Sequence, residues 1–277
     1  MRTWSKRADA AQRYQVELHY ALEAQRQIHR ADLYRALAPA ALSEPLVLKE
    51  WIRICTYRFS QQPLNAYGST IGVGGRFNFG DALDCANSLA FPALYIGETK
   101  SVAYREYFGM SKSESTVLSP QEFALTPNKA YSVIPINGLI YNVLDVTRTT
   151  KLREFVEILS SFTVSKETQA LATRAGFKPR MLLSSAEQFN RVLTEKHFRG
   201  WGRNHGLPAS CQIFGKLVWE AQYDGVLYRS VKGGGKCLAI FPQNLENSDS
   251  KLWLADSAPA HVITELDGSN WQLACNP

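Results

Sequence analysis

Between Gly72 and Gly109 the chain reads GVGGRFNFGDALDCANSLAFPALYIGETKSVAYREYFG. Three glycines precede one arginine, Arg76, and two glutamates, Glu98 and Glu106, follow an apolar run. Glycines so placed leave backbone amides and a guanidinium free to approach an anion, and arginine binds phosphate through charge-assisted, often bidentate bonds. A structural loop followed by an amphipathic helix with solvated acids accounts for the same letters, so this stretch alone leaves both readings open.

A further guanidinium stands upstream in WIRICTYRFS. Strand alternation puts Arg53 on the face of Cys55 and Tyr57, and Arg58 with Ile54 on the other. Arg58 is then either an edge-strand arginine that snorkels to water or an inward one that takes a phosphate. Downstream, HFRGWGRNHGLPASCQ gathers His197, Arg199, Trp201, Arg203 and His205 without an acid, as a basic lid or as a glycine-punctuated surface loop. Its two histidines have no third ligand beside them, so no metal is expected. The run Lys232 to Lys236, KGGGK, lacks the spacing and the following helix of a phosphate loop and reads as a hairpin turn. Ser230, just before it, has no GxSxG elbow or Ser-His-Asp spacing and by itself is an ordinary strand serine.

These residues must be positioned by the elements around them. Residues 7 to 38 lack Gly and Pro and set Tyr14, Leu18, Leu22, Leu33 and Leu37 at helical spacings. Pro39 and Pro45 end the pattern, which makes residues 1–48 a helical extension that packs on the main domain or serves a partner. FPALYIG predicts a buried strand, and Thr99 caps a helix carrying Ala103, Tyr104 and Phe108 that stops at Gly109. Residues 111–130 read as a loop. Tyr131 to Ile136 and Leu139 to Val146 are two strand-like runs around Asn137-Gly138, a strong hairpin signal.

Helical patterns follow over Leu152 to Leu159, over Lys166 to Ala175 with Gly176 after it, and behind a Ser184/Glu187 capping box. Together they make a helical insertion at about residues 150–210. Ser210 caps a helix running to Ala221, VLYRSV and CLAIFP are short strands, and HVITEL is the last. This mixed order predicts an α+β fold with a mixed sheet over a doubly wound parallel one.

With 277 residues the chain can bury a sizeable core as one large domain or two small ones. Hydrophobic content of 45% with 20% charged residues is that of a globular protein. A net charge of +6 suits a phosphate-bearing ligand or acidic partner without requiring nucleic acid. Five cysteines, an odd number without a CxxC pair, point to a reducing compartment. No apolar stretch reaches the ~20 residues of a membrane span. The expectation is a cytoplasmic protein, with export by a route that uses no signal peptide equally compatible.

Taken together, TYRF, GGRFN, ALYIGET followed by AYRE, and DGVLYRSVKGGGKCLAIF resemble in order and chemistry the RES-domain family, named for its Arg, Glu and Ser. The resemblance covers most of residues 51–242. It implies a mixed split sheet like that of ADP-ribosyltransferases, with residues 49–277 as an NAD-binding catalytic domain behind the 1–48 extension. It further implies a toxin of a bacterial toxin–antitoxin pair that consumes NAD as its substrate, without a metal, restrained by a helix-turn-helix antitoxin. The family's arginines match Arg58 and Arg76, its tyrosine Tyr95, its glutamate Glu106 and its serine Ser230. Phe77 stands where the family often has tryptophan.

These residue types suit cleavage of the nicotinamide–ribose bond. Nicotinamide leaves as a neutral molecule from a cationic parent, through a transition state resembling an oxocarbenium ion. Glu106 can stabilise that charge or hold a ribose hydroxyl. Arg58 and Arg76 can pair with the pyrophosphate, Tyr95 can stack and position, and Ser230 can bond the nicotinamide, a phosphate or the incoming group. Water as acceptor makes a glycohydrolase, inorganic phosphate a phosphorylase, and a protein side chain an ADP-ribosyltransferase. A separate reading, a basic nucleic-acid-binding or RNA-cleaving toxin built on Arg199 and Arg203, predicts binding that falls steeply with salt.

Overall fold

The structure is a computed structural model that describes residues 2–83, 89–109, 130–177, 185–232 and 234–277, with side chains from residue 7 onward. Its centre is β1 (Leu46–Thr56), an 11-residue strand flanked by β2 (Leu94–Gly97) and β3 (Tyr131–Ile140). With β4 (Val143–Asp145), β5 (Gly225–Arg229), β6 (Lys236–Ile240), β7 (Lys251–Leu254) and β8 (Glu265–Leu266) they form one mixed sheet. The order is β4-β5-β6-β2-β1-β3-β7-β8, and only β4 and β5 run parallel.

Both faces of the sheet are covered. Val226, Tyr228, Cys237 and Ala239 join a cluster with Phe77, Phe91 and Phe214, while Leu227, Leu238 and Ile240 join Leu48, Leu94 and Ile136 on the opposite side. This period of two explains why VLY and CLAIF read as continuous apolar runs.

The helices are α1 (Arg2–Ile28), α2 (Arg30–Arg35), α3 (Lys100–Phe108), α4 (Arg153–Ser160), α5 (Lys166–Ala175), α6 (Ala186–Leu193), α7 (Arg199–His205) and α8 (Ser210–Glu220). Helix α1 packs Tyr14 and Leu18 on Leu171 and Ala172 of α5, and Gln25 exchanges two hydrogen bonds with the Thr163 backbone. Leu33 and Leu37 lie in the main core with no exposed surface. None of the helices described is long and apolar enough to cross a membrane.

Several local expectations hold. Thr99 accepts from the Val102 amide at the start of α3, and Gly109 ends that helix at φ 71°. Gly176 ends α5 at φ 76°. Others do not. Asn137-Gly138 is no hairpin, because β3 runs straight through it. Asn137 Oδ1 instead accepts from the Glu50 amide at the irregularity between Leu48 and Trp51, where Glu50 has φ 50°. A Cβ at Gly138 would come within 2.8 Å of Leu252, so the glycine serves close packing and not a turn. The strand expected over 51–60 starts at Leu46 and ends at Thr56, and Arg58 falls in a 3₁₀ turn, Tyr57–Phe59. The basic stretch read as a loop contains α7, and only Glu265–Leu266 of HVITEL is strand. Ser185, with its hydroxyl on the Gln188 amide, caps α6. Ser184 and most of the loop expected at 111–130 lie outside the described residues.

Candidate functional site

Helix α3 lies on the sheet beside β1 and β2, with Tyr104 and Arg105 fully buried, and this seat turns Glu106 into a cavity of about 560 Å³. One carboxylate oxygen, Oε1, accepts three hydrogen bonds: Ser230 Oγ at 2.7 Å, the Val231 amide at 2.6 Å and the Lys232 amide at 3.1 Å. The β5–β6 turn is therefore a clamp on Glu106. Oε2 has no hydrogen-bond partner among the described residues, and Glu106 lines the cavity. Glu98 lies outside that lining and spends Oε2 on the Lys236 amide at 3.0 Å.

Arg76 lines the cavity while nearly buried, at 6% exposure. Its Nη1 donates to the Leu193 and Glu195 carbonyls, both at 2.9 Å, tying the glycine-rich loop to the C-terminus of α6, where unpaired carbonyls favour a cation. Its guanidinium also sits 4.9 Å from the centre of the Phe198 ring.

Tyr95 lines the cavity as well, but its hydroxyl is already engaged. It accepts from the Phe77 amide at 2.9 Å and donates to Asn78 Oδ1 at 2.9 Å, so the tyrosine organises GGRFN and keeps only its ring for a ligand. Burial pushes the Tyr95 phenol above its ordinary pKa, opposed by the Phe77 amide. A Cβ at Gly75 would lie 2.5 Å from Tyr95 Oη, which explains the glycine there by close approach. Phe77 has no exposed surface and packs edge-on against Phe214 and Tyr228, away from any stacking role.

Of the expected site residues, Arg76, Tyr95 and Glu106 share the cavity. Ser230 is outside its lining but donates to Glu106 and accepts from the Lys232 amide, both residues of that lining, and Arg58 does not line it. Arg58 is exposed and lies 4.4 Å over Phe59. Arg53, five residues earlier, is 9% exposed, lines the cavity, and donates from Nη2 to the Asn65 carbonyl at 2.5 Å. Its Nε is buried without a hydrogen-bond partner among the described residues, and burial lowers its pKa.

Strand alternation in WIRICT sets Arg53 on the face opposite Ile54, whereas the family resemblance points to Arg58 in TYRF. Two buried amides carried no comparable signal. Asn78 Nδ2 donates to the Ser69 and Phe91 carbonyls, each at 2.9 Å, and Gln212 Nε2 donates to the Val73, Gly75 and Asn78 carbonyls. They hold the loop's carbonyls where no strand can.

Arg199 and Arg203, the residues of the nucleic-acid reading, also line this cavity. Among the described residues no group of three or more His, Cys, Asp or Glu is placed to hold a metal ion.

The structure is similar to a chain in the crystal structure of the M. tuberculosis MbcT-MbcA toxin–antitoxin complex, with a TM-score of 0.45 and 16% identity over 88% of this chain and 96% of that one. No curated protein matches the sequence. The sequence matches the model of the RES domain over residues 50–256, more than half of its length, and the chain belongs to the RES domain family.

Proposed function

We propose that the protein is a toxin that degrades NAD by cleaving the bond between nicotinamide and ribose, with water or inorganic phosphate as acceptor. The observation that carries this reading is one pinned carboxylate, Glu106, in a cavity whose other charged side chains among the described residues are cations, Arg53, Arg76 and Lys232 among them. Membership of the RES family supports it.

In this reading Arg53 and Arg76 hold the diphosphate, Arg53 taking the part expected of Arg58. The ring of Tyr95 packs against the dinucleotide. Ser230 and the Val231 and Lys232 amides fix Glu106 Oε1, leaving Oε2 for the ribose. As the C1′–N bond breaks, its electron pair returns to the pyridinium ring and neutral nicotinamide departs. Oε2 stabilises the positive charge that grows on C1′ and the ring oxygen. Water or phosphate then bonds to C1′, losing its proton to solvent or to Glu106. A carboxylate held by preorganised donors does this without reorganising at the moment of reaction.

A toxin that drains NAD needs restraint in its own cell. A small helix-turn-helix antitoxin that plugs the cavity is the partner proposed, with residues 1–48 as an extension on a catalytic domain of residues 49–277. The test is to incubate the purified protein with NAD and follow free nicotinamide, with and without phosphate. Separating ADP-ribose from its 1-phosphate identifies the acceptor. If no nicotinamide appears under either condition and no protein becomes labelled with ADP-ribose, the proposal fails.

A further inference from the structure

Among the described residues six Arg and Lys side chains line the cavity, against the single carboxylate of Glu106. Arg53, Arg76 and Lys232 come from the sheet and its loops, while Lys196, Arg199 and Arg203 come from α7 and the residues just before it. None of the six has an ion-pair partner among the described residues.

The α7 group is costly to assemble. Arg199 and Arg203 are four apart on a seven-residue helix, where like charges repel and so short a helix has little stability of its own. Arg199 also feels repulsion from Arg203 and Arg76 against attraction to Glu106, and its guanidinium sits 5.3 Å from the same Phe198 ring that Arg76 approaches.

The fold nevertheless holds α7 firmly in this place. A Cβ at Gly202 would meet Val73 at 2.6 Å and Leu83 at 2.8 Å, so the helix lies directly on the glycine-rich loop. His205 Nδ1 meets Gln12 Oε1 of α1 at 2.5 Å, and Trp201 Nε1 donates to Glu195 at 3.3 Å. A dinucleotide's diphosphate carries two negative charges, one of them offset by the pyridinium, and the three sheet-side cations suffice for it. Three more cations gathered against their own repulsion imply a further anion.

We infer that Lys196, Arg199 and Arg203 form a second phosphate subsite in the cavity, which takes a phosphate dianion apart from the diphosphate of the dinucleotide. Such a group arrives either as a 2′-phosphate monoester on the dinucleotide or as free inorganic phosphate, the chemistry at α7 being the same. The inference rests on the dinucleotide reading of the site for the first source only.

The test is calorimetric titration of the full-length Glu106→Gln protein, expected not to turn over, with NAD, with NADP, and with inorganic phosphate alone and in the presence of NAD. Each is repeated in the Lys196→Gln/Arg203→Gln background, two exposed side chains whose loss leaves the core intact.

If the monoester is the source, NADP binds at least about tenfold more tightly than NAD, as one or two charge-assisted bonds provide, and the double substitution removes that advantage while NAD changes little. If free phosphate is the source, it binds saturably, and the same substitution weakens it by about tenfold or more. Arg203→Lys restores part of either effect. The subsite is refuted if NADP shows no advantage and phosphate does not bind, or if the double substitution weakens NAD as much as NADP. Phosphate binding that depends on α7, with no binding or cleavage of NAD, would overturn the proposed function and leave the subsite standing.

Discussion

Ser230 Oγ donates to Glu106 Oε1 at 2.7 Å, joining the β5–β6 turn to α3 across 124 residues of sequence. Two backbone amides bind the same oxygen, so Ser230 shares its task with the main chain. Its part is to position the carboxylate, and the strength of that part can be measured.

Glu106→Gln is expected to abolish nicotinamide release while leaving the thermal transition in place. Ser230→Ala removes one of three donors and should lower kcat by about tenfold to a hundredfold, the worth of a hydrogen bond to a charged group. Glu98→Gln should have a smaller effect, because Glu98 only ties β2 to the Lys236 amide. Rates measured for the three proteins decide the order, and a larger loss at Glu98 would show that the wrong acid has been assigned.

Arg53→Gln should raise KM for NAD by about tenfold to a hundredfold through lost charge-assisted bonds, whereas Arg58→Ala should change it by less than about threefold. The contrast follows from Arg53 lining the cavity and Arg58 lying exposed over Phe59. A stronger effect at Arg58 would return the binding role to TYRF.

Tyr95→Phe keeps the ring and removes the hydroxyl that serves the Phe77 amide and Asn78. A buried donor left unpaired costs about 1–3 kcal/mol, so Tm should fall by a few degrees with KM little changed. Unchanged stability together with a large loss of kcat would mean that the hydroxyl acts on the substrate.

Burial pushes the Cys211 thiol from 9.0 up to about 12. Folding therefore favours the protonated thiol. Its contribution is fully present below about pH 9 and is lost as pH rises toward about 12, because over that window the unfolded chain releases a proton the folded one keeps. Thermal melts should show Tm falling above pH 9, and Cys211 should resist alkylation at pH 8 until the chain unfolds. Rapid alkylation of the folded protein would contradict its burial.

Removal of residues 1–48 takes Leu33 and Leu37 out of the main core and the start of β1 out of the sheet. Each fully buried leucine is worth roughly 1.5–3 kcal/mol, so this truncation should yield unfolded protein and not a hyperactive one. Removal of residues 1–28 keeps Leu33 and Leu37 in that core, strips Leu22 from its edge and Tyr14 and Leu18 from α5, and releases the Gln12 contact to His205 of α7, so it should fold with a lower Tm and show altered phosphate-dependent behaviour. A folded and more active 49–277 fragment would establish self-inhibition by the extension.

Helices with a clear stripe and a cap, such as α3 behind Thr99 and α5 before Gly176, were legible because their signals are local. The ordered motifs around Arg58, Arg76, Tyr95, Glu106 and Ser230 likewise sufficed to name the family that the RES model matches over residues 50–256. What no local pattern contains is which partner a polar group meets across the fold. Asn137-Gly138 looked like a turn until β1 and β7 closed on either side of it. Tyr95 looked free to meet a ligand until the GGRFN loop folded over its hydroxyl. Arg53 and Arg58, five residues apart in one stretch, were separated only when β1 ended at Thr56 and left one guanidinium inside the cavity and the other in water. Residue types and their order depend on the sequence alone. Burial and hydrogen-bond partners depend on segments more than a hundred residues apart, and these made Glu106 the pinned carboxylate and Ser230 its support.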